Sequence, residues 1–333
     1  MKRSLSGIQS SGILHIGNYF GAIKQFVENQ NSGDYQCFYF VADYHSLTTS
    51  PDPKDLRENT YNIILDYLSL GLDPEKSLIY LQSDIPEHTE MSWILSCLTP
   101  MGLLERSHSY KDKITKNISA NAGLFTYPVL MACDILLYDA DVVPVGKDQK
   151  QHLEITRDIA MKFNQQYNTE FFKLPDPIIL DSVAIVPGTD GQKMSKSYNN
   201  TINMFASSKE LKKQVMSIVT DSTPLEEPKD PDNNVALLYK LFADIHKQSE
   251  MREKFLAGNY GYGDAKKDLL NKILEYFGEA REKREHLAKN KHLVDEILYE
   301  GGKKARAIAT KKIAKAKEIV GLCGNMYKYY NNK

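Results

Sequence analysis

Leu5-Ser6-Gly7-Ile8-Gln9, followed by Ser10-Ser11-Gly12, reads as a short strand running into a glycine-bearing turn. Gln36-Cys37-Phe38-Tyr39-Phe40-Val41-Ala42 is aromatic and β-branched, the composition of a strand buried on both faces. Between them a helix is predicted from about Asn18 to Gln30. The alternation continues outward. Asp52-Pro53 has the form of an N-cap and first helical residue, opening a helix that reaches about Leu70. Ser77–Gln82 and Val142–Val145 read as further strands, and a helix follows to about Phe163. Strands alternating with helices of this length imply a parallel sheet covered on both faces. In such sheets ligands sit at the carboxyl ends of the strands, near the point where strand order reverses.

The pattern changes near Pro187. Pro187–Asn203 is rich in Gly, Lys, Ser and Asn and reads as a mobile loop, and Pro224–Asn234 is a second loop. Beyond it Ala236–Ile245, Ala265–Tyr276 and Gly302–Val320 carry apolar residues at helical spacing, with Gly321 placed to end the last helix. The expected fold is therefore α/β: a Rossmann-like, doubly wound parallel sheet over residues 1–185, then a smaller all-helical C-terminal domain over 186–333, with the boundary inside 183–200. The last helix is placed to pack back on the first domain.

The chain has 333 residues, of which 42% are apolar, enough for a substantial core. Lys and Arg number 42 against 43 Asp and Glu, so a globally basic nucleic-acid coat is excluded and any RNA contact must be local. Cys37, Cys97, Cys133 and Cys323 form no CxxC pair and no metal-ligand set, a usage that suits a reducing cytoplasm. Met1–Gly7 lacks the apolar core of a signal peptide, and no stretch approaches a membrane span.

Two motifs carry chemistry. His15-Ile16-Gly17-Asn18 lies where a turn gives way to a helix N-terminus, whose free N–H groups suit phosphate. Gly17 lets an adenine or ribose approach the backbone, while His15 and Asn18 supply donors. The bland alternative is a capped surface helix. In Lys193-Met194-Ser195-Lys196-Ser197 two ammonium groups three residues apart can clamp a triphosphate and stabilise departing pyrophosphate. The bland alternative is a solvated Lys/Ser loop. On the last helix Lys304, Lys311 and Lys315 share a face opposite Ala305, Ala309, Ala316 and Val320. A solvated face is the favoured reading there, and contact with RNA phosphates the functional one.

Together the two motifs resemble the HIGH and KMSKS signatures of class I aminoacyl-tRNA synthetases. Tyr127-Pro128-Val129-Leu130-Met131-Ala132-Cys133-Asp134, Gly146-Lys147-Asp148-Gln149 and Leu5–Gln9 resemble segments of the bacterial tryptophanyl enzymes. The resemblance implies ATP and L-tryptophan as substrates, tRNA(Trp) as partner, Mg²⁺ bound through phosphates rather than in a protein cage, and a cytoplasmic homodimer. It implies that His15, Asn18, Lys113, Lys193 and Lys196 are catalytic. ATP would lie on Gln9, Ser10, Ser11, Gly17, Asn18, Gly146, Asp148, Val186, Lys193, Met194, Ser195, Lys196 and Ser197. Tryptophan would lie on Leu5, Gly7, His45, Tyr127, Met131, Asp134, Val143 and Gln149, with Asp134 accepting the indole N–H. A buried carboxylate there needs a donor, so phenylalanine is expected to be rejected for leaving it unpaired. Three positions depart from the family pattern: Leu5, where an aromatic is common; Ser10, where Pro is usual; and Ser109, where Gln is common. The apolar stretch Met91–Leu104 is the candidate subunit contact.

Three other readings stay open at this level. A tyrosyl-tRNA synthetase usually has Gln where Met131 stands. A catalytically silent RNA-binding paralogue fits poorly with intact His15, Asn18, Lys193 and Lys196. A small nucleotidyltransferase acting on a non-RNA substrate gives the helical second half no purpose.

Overall fold

The computed structural model describes residues 1–107, 110–111, 121–146, 149–179 and 186–322. Among these, β1 (Lys2–Gln9), β2 (Tyr35–Ala42), β3 (Ser77–Leu81), β4 (Val142–Val145) and β5 (Asp176–Ile179) form one sheet in the order β3-β2-β1-β4-β5, with every pairing parallel. The order runs outward from β1 to β3 on one side and resumes at β4 on the other, so it reverses between β1 and β4. This is the doubly wound, Rossmann-like α/β arrangement that the alternation implied. Sequence reading had missed β5. Its Asp176-Pro177-Ile178-Ile179 is short and interrupted by proline, which a sheet tolerates at its edge, where β5 lies.

β2 shows why both faces are covered. Cys37, Tyr39 and Val41 enter a core with Phe26, Ile63, Ile64 and Tyr67. Phe38, Phe40 and Ala42 point into the opposite core, with Leu5, Tyr80, Met91 and Cys133. The helix Pro53–Ser69 begins as its sequence dictates: Asp52 accepts from the Lys54 N–H at 2.8 Å and Pro53 stands at the first position. The first helical segment starts earlier than expected, at Ile16 with His15 as N-cap, passes through a π turn at Tyr19–Ile23, and runs to Ser32.

After the sheet the chain is helical: Ser208–Met216, Asn234–Tyr239, Ile245–Ala257, Tyr262–Tyr276, Gly278–Lys289 and Lys291–Ile319. Ala236–Ile245 is not one helix. The first ends at Tyr239, and Asp244 caps the next, its carboxylate accepting from the Lys247 N–H at 3.0 Å. The last helix starts at Lys291, well before Gly302, because the Gly301-Gly302 pair that looked like its boundary lies inside it. Gly301 packs so closely on β3 that a Cβ there would stand 1.9 Å from the Ile79 carbonyl oxygen. Ala305, Ala309 and Ala316 are buried while Lys304, Lys311 and Lys315 are exposed. The helix closes at Gly321, with φ of 82°. The Gly321 N–H donates to Glu318 O at 3.2 Å and the Leu322 N–H to Lys317 O at 2.8 Å.

One apolar core crosses from the sheet to the helical half: Leu14 and Ile16 pack with Ile202, Met204, Leu269, Ile273 and Phe277. The Arg284 guanidinium adds two partly buried bonds at the same junction, donating to Asp66 at 2.6 Å and to Asn62 at 2.8 Å.

Candidate active site

A cavity of about 460 Å³ opens at the carboxyl ends of β1 and β4, where the strand order reverses. Leu5, Gly7, His45, Tyr127, Met131, Asp134, Val143 and Gln149 all line it, as do Gln9 and Gly146. Thus every residue assigned to the amino-acid side from sequence reaches one space. Gly7 keeps that space open, since a Cβ there would fall 2.6 Å from the Phe40 ring. Gln9 donates to the His45 carbonyl at 3.2 Å, tying the end of β1 to the segment that follows β2.

Asp134 is buried on the helix Ala122–Leu136. Its carboxylate accepts from Gln82 Nε2 at 2.8 and 2.9 Å, from His88 Nδ1 at 2.6 Å and from His45 Nε2 at 2.9 Å. Burial opposes its charge, but the hydrogen bonds from His45 and His88 outweigh that and hold the carboxyl below the usual carboxylate range. The expectation that this carboxylate lacks a donor until a ligand supplies one is therefore corrected: the protein already satisfies it.

At the other end of the site the two sequence motifs meet. Ile16 donates to the Ile202 carbonyl at 3.0 Å, and a Cβ on Gly17 would lie 3.4 Å from Met194 Cβ. Asn18 accepts from the His15 N–H at 3.1 Å. Lys196 reaches over the first turn: its Nζ lies 3.4 Å from the Ser11 carbonyl and would lie 3.6 Å from a Cβ on Gly12, where φ is 111°. Burial lowers the Lys196 ammonium to about 8, against the attraction of Asp66. Burial, assisted by Lys196, lowers His15 to about 4, so its imidazole is neutral at physiological pH. Asp66 is raised to about 6 by burial, opposed by Arg284 and Lys196.

Within the lysine loop the bonds converge on Asn200, which sequence reading had passed over. Asn200 Nδ2 donates to Asp190 at 2.7 Å and to the Lys193 carbonyl at 3.1 Å, while its Oδ1 accepts from the Ser195 N–H at 2.7 Å. Gly188 admits this side chain, because a Cβ there would meet it at 2.3 Å. Lys193 and Ser197 are exposed, Ser195 is half-buried, and Met194 and Val186 are buried. Ser10, the departure from proline, pairs its hydroxyl with that of Ser46 at 2.9 Å. Lys113, Asp148 and Ser109 lie outside the described residues. Gln82 and His88 were also missed, since an isolated Gln or His carries no pattern in one sequence.

A profile of the family described as tRNA synthetases class I (W and Y) matches residues 2–278. The chain is 73% identical over 327 residues to the tryptophan–tRNA ligase of Fusobacterium nucleatum, spanning 98% of this chain and 100% of that one. It is 53% identical over 321 residues to the tryptophan–tRNA ligase of Rhodopirellula baltica, spanning 96% and 99%. The fold superposes on the tryptophanyl-tRNA synthetase of Campylobacter jejuni, solved with ADP and tryptophan, with a TM-score of 0.91 and 54% identity over 96% of this chain and 100% of that one. The Mycoplasma pneumoniae tryptophanyl-tRNA synthetase follows with a TM-score of 0.79 and 33% identity over 97% and 98%.

Proposed function

The chain belongs to the class I tRNA synthetases of the tryptophan and tyrosine group, and we propose that it activates L-tryptophan with ATP and transfers it to the 3′ end of tRNA(Trp). One observation carries the reading: the cavity with Asp134 on its wall extends to Gln9 at the end of β1, and Lys196 reaches Ser11 in the turn that follows directly. The relatives act on tryptophan throughout their names, and Met131 stands beside Asp134 on the cavity wall.

The substrate carboxylate attacks the α-phosphorus of ATP in line. A bond forms from carboxylate oxygen to phosphorus, the bond to the bridging oxygen breaks, and pyrophosphate leaves with its electron pair. The nucleophile is already ionised, so no protein base is needed and catalysis rests on positioning and charge. Gln149 takes the substrate amino group, and Asp134 accepts the indole N–H. Neutral His15, the Asn18 side chain and the Gly17 backbone hold the nucleotide at the helix start, with Gln9, Ser10, Ser11, Gly146 and Asp148 around the adenylate. Lys196, Lys193 and Lys113 take the β- and γ-phosphates. Magnesium enters with ATP as part of the substrate, on phosphate oxygens. A ribose hydroxyl at the 3′ end of the tRNA then attacks the adenylate carbonyl; the new ester bond forms, the acyl bond to the AMP phosphate oxygen breaks, and AMP leaves as the hydroxyl proton passes to its phosphate.

Residues 1–185 are the catalytic domain in this reading, and 186–333 hold the lysine loop and the tRNA anticodon-binding helices. The working unit is a cytoplasmic homodimer. Trp93 and Met101 support a subunit contact on Met91–Leu104, being 73% and 63% exposed. Among the described residues no helix is long and apolar enough to cross a membrane.

Exchange of labelled pyrophosphate into ATP, run with each standard amino acid, tests the reading. Exchange with tryptophan alone is expected. Exchange driven by tyrosine, or no exchange with any amino acid, would overturn it.

A further inference from the structure

Asp134 is approached from two sides. Gln82 and His88 come from behind; both are completely buried and neither touches the cavity. His45 comes from the front and lines the cavity beside Asp134. The rear pair is held in one orientation. The Tyr44 N–H donates to Gln82 Oε1 at 3.1 Å, which turns the Gln82 amide nitrogen onto both carboxylate oxygens. His88 Nδ1 faces an acceptor-only carboxylate, so that nitrogen carries the hydrogen. His88 Nε2 pairs with the Tyr138 hydroxyl at 3.0 Å. Oδ1 is occupied by Gln82 and His88, whereas Oδ2 has Gln82 behind it and His45 in front.

Resting on the tryptophan reading above, we propose that Gln82 and His88 are positioning residues for amino-acid selection: they hold Asp134 as an ionised acceptor with Oδ2 toward the cavity, where the donor changes from His45 to the substrate N–H. Selection then arises from exchange of donors. An indole brings an N–H that replaces His45. A plain benzene ring leaves His45 in place and gains no polar contact. The rear donors make the exchange possible by fixing the carboxylate plane and opposing its protonation, since a protonated carboxyl would present a donor to the incoming N–H.

The groups facing Asp134 are His45 after β2, Tyr80 on β3, His88 on the helix Glu87–Ser96, and Cys133 and Tyr138 on its own side. Of these, His45 and His88 bond the carboxylate directly. Removing the His88 donor lets the carboxyl titrate at higher pH, so capture of tryptophan fails earlier on the acid side.

The test is pyrophosphate exchange by wild type, His88→Leu, His88→Asn and Tyr138→Phe, with KM for tryptophan, KM for ATP and kcat measured between pH 5 and 8. In His88→Leu the KM for tryptophan should rise about 10- to 100-fold, as for loss of a hydrogen bond to a buried charge. Its acid limb in kcat/KM should move upward while KM for ATP and kcat hold. His88→Asn, whose amide nitrogen falls near the lost Nδ1, should recover most of the affinity. Tyr138→Phe should shift the limb in the same direction, and it decides the matter should His88→Leu not fold. An unmoved tryptophan KM and acid limb in the folded variants would overturn the inference alone, as would equal losses in both KM values and kcat. A wild type without tryptophan-dependent exchange would instead overturn the functional reading beneath it.

Discussion

Lys196 Nζ lies 3.4 Å from the Ser11 carbonyl oxygen, across 185 residues of chain. The lysine loop and the first turn therefore meet at one surface, the one proposed to hold the phosphates. Lys196→Ala should lower the exchange rate by about 10²-fold, the scale of a lost electrostatic contact to the transition state. Near-normal turnover in this variant would remove the lysine from the chemistry.

The same lysine sets a pH limit. Burial brings its ammonium down to about 8, so it is charged below that pH and neutral above it. The ratio kcat/KM for ATP reports the free enzyme and should fall as pH rises through about 8. The kcat profile should persist to higher pH, because bound phosphates favour the charged form. Lys196→Arg, which stays protonated, should abolish the limb even where its absolute rate is lower. A limb unchanged in Lys196→Arg would assign the titration to another group.

Asp134→Asn keeps the size of the side chain and removes the charge that three donors converge upon. It should destabilise the fold by about 2 kcal/mol, because an amide cannot accept from all of them. The specificity constant for tryptophan should fall by about 10²-fold and the margin over phenylalanine should narrow. Thermal melting and the two specificity constants are the measurements. A retained preference would place recognition of the N–H elsewhere.

Asn200 binds the lysine loop to itself at Asp190, Lys193 and Ser195. Asn200→Ala leaves the sheet intact and loosens the loop. Exchange should slow by about 10- to 100-fold, as expected for misplacement of a catalytic group by a fraction of an ångström to one ångström. KM for ATP should rise and KM for tryptophan should stay near wild type. Equal effects on both substrates would point to a general loss of structure.

Gly301→Ala would put a methyl group 1.9 Å from the Ile79 carbonyl, so the last helix must lift from β3. The expected cost is about 1–3 kcal/mol, typical of overpacking, read as a lower melting temperature. A variant as stable as wild type would show that the contact can relax without loss.

Periodicity and capping made most of the first half legible. The Asp52-Pro53 start, the strand over Val142–Val145 and the lining of the cavity follow from local pattern and from motif resemblance. Three kinds of feature were not legible. β5 is a short, proline-bearing edge strand. Gly301 and Gly302 looked like a helix boundary because the tight contact of Gly301 with β3 comes from tertiary packing. Gln82, His88 and Asn200 act through bonds to residues distant in the chain or to loop backbone, and their identities alone gave no hint of those partners.

The core that joins Leu14 and Ile16 to Ile202, Met204 and Phe277, together with the glycine contact on β3, fixes an order of assembly during synthesis. The strands from β1 to β4 and the helices between them leave the ribosome long before the last helices. Phe26 and the helix Pro53–Ser69 cover one face of β2 early, but Leu14 and Ile16 wait for the residues around Phe277, and β3 waits for Gly301. Completion of the fold is thus tied to the emergence of the last helix, and until then the early half keeps apolar surface that only later segments cover.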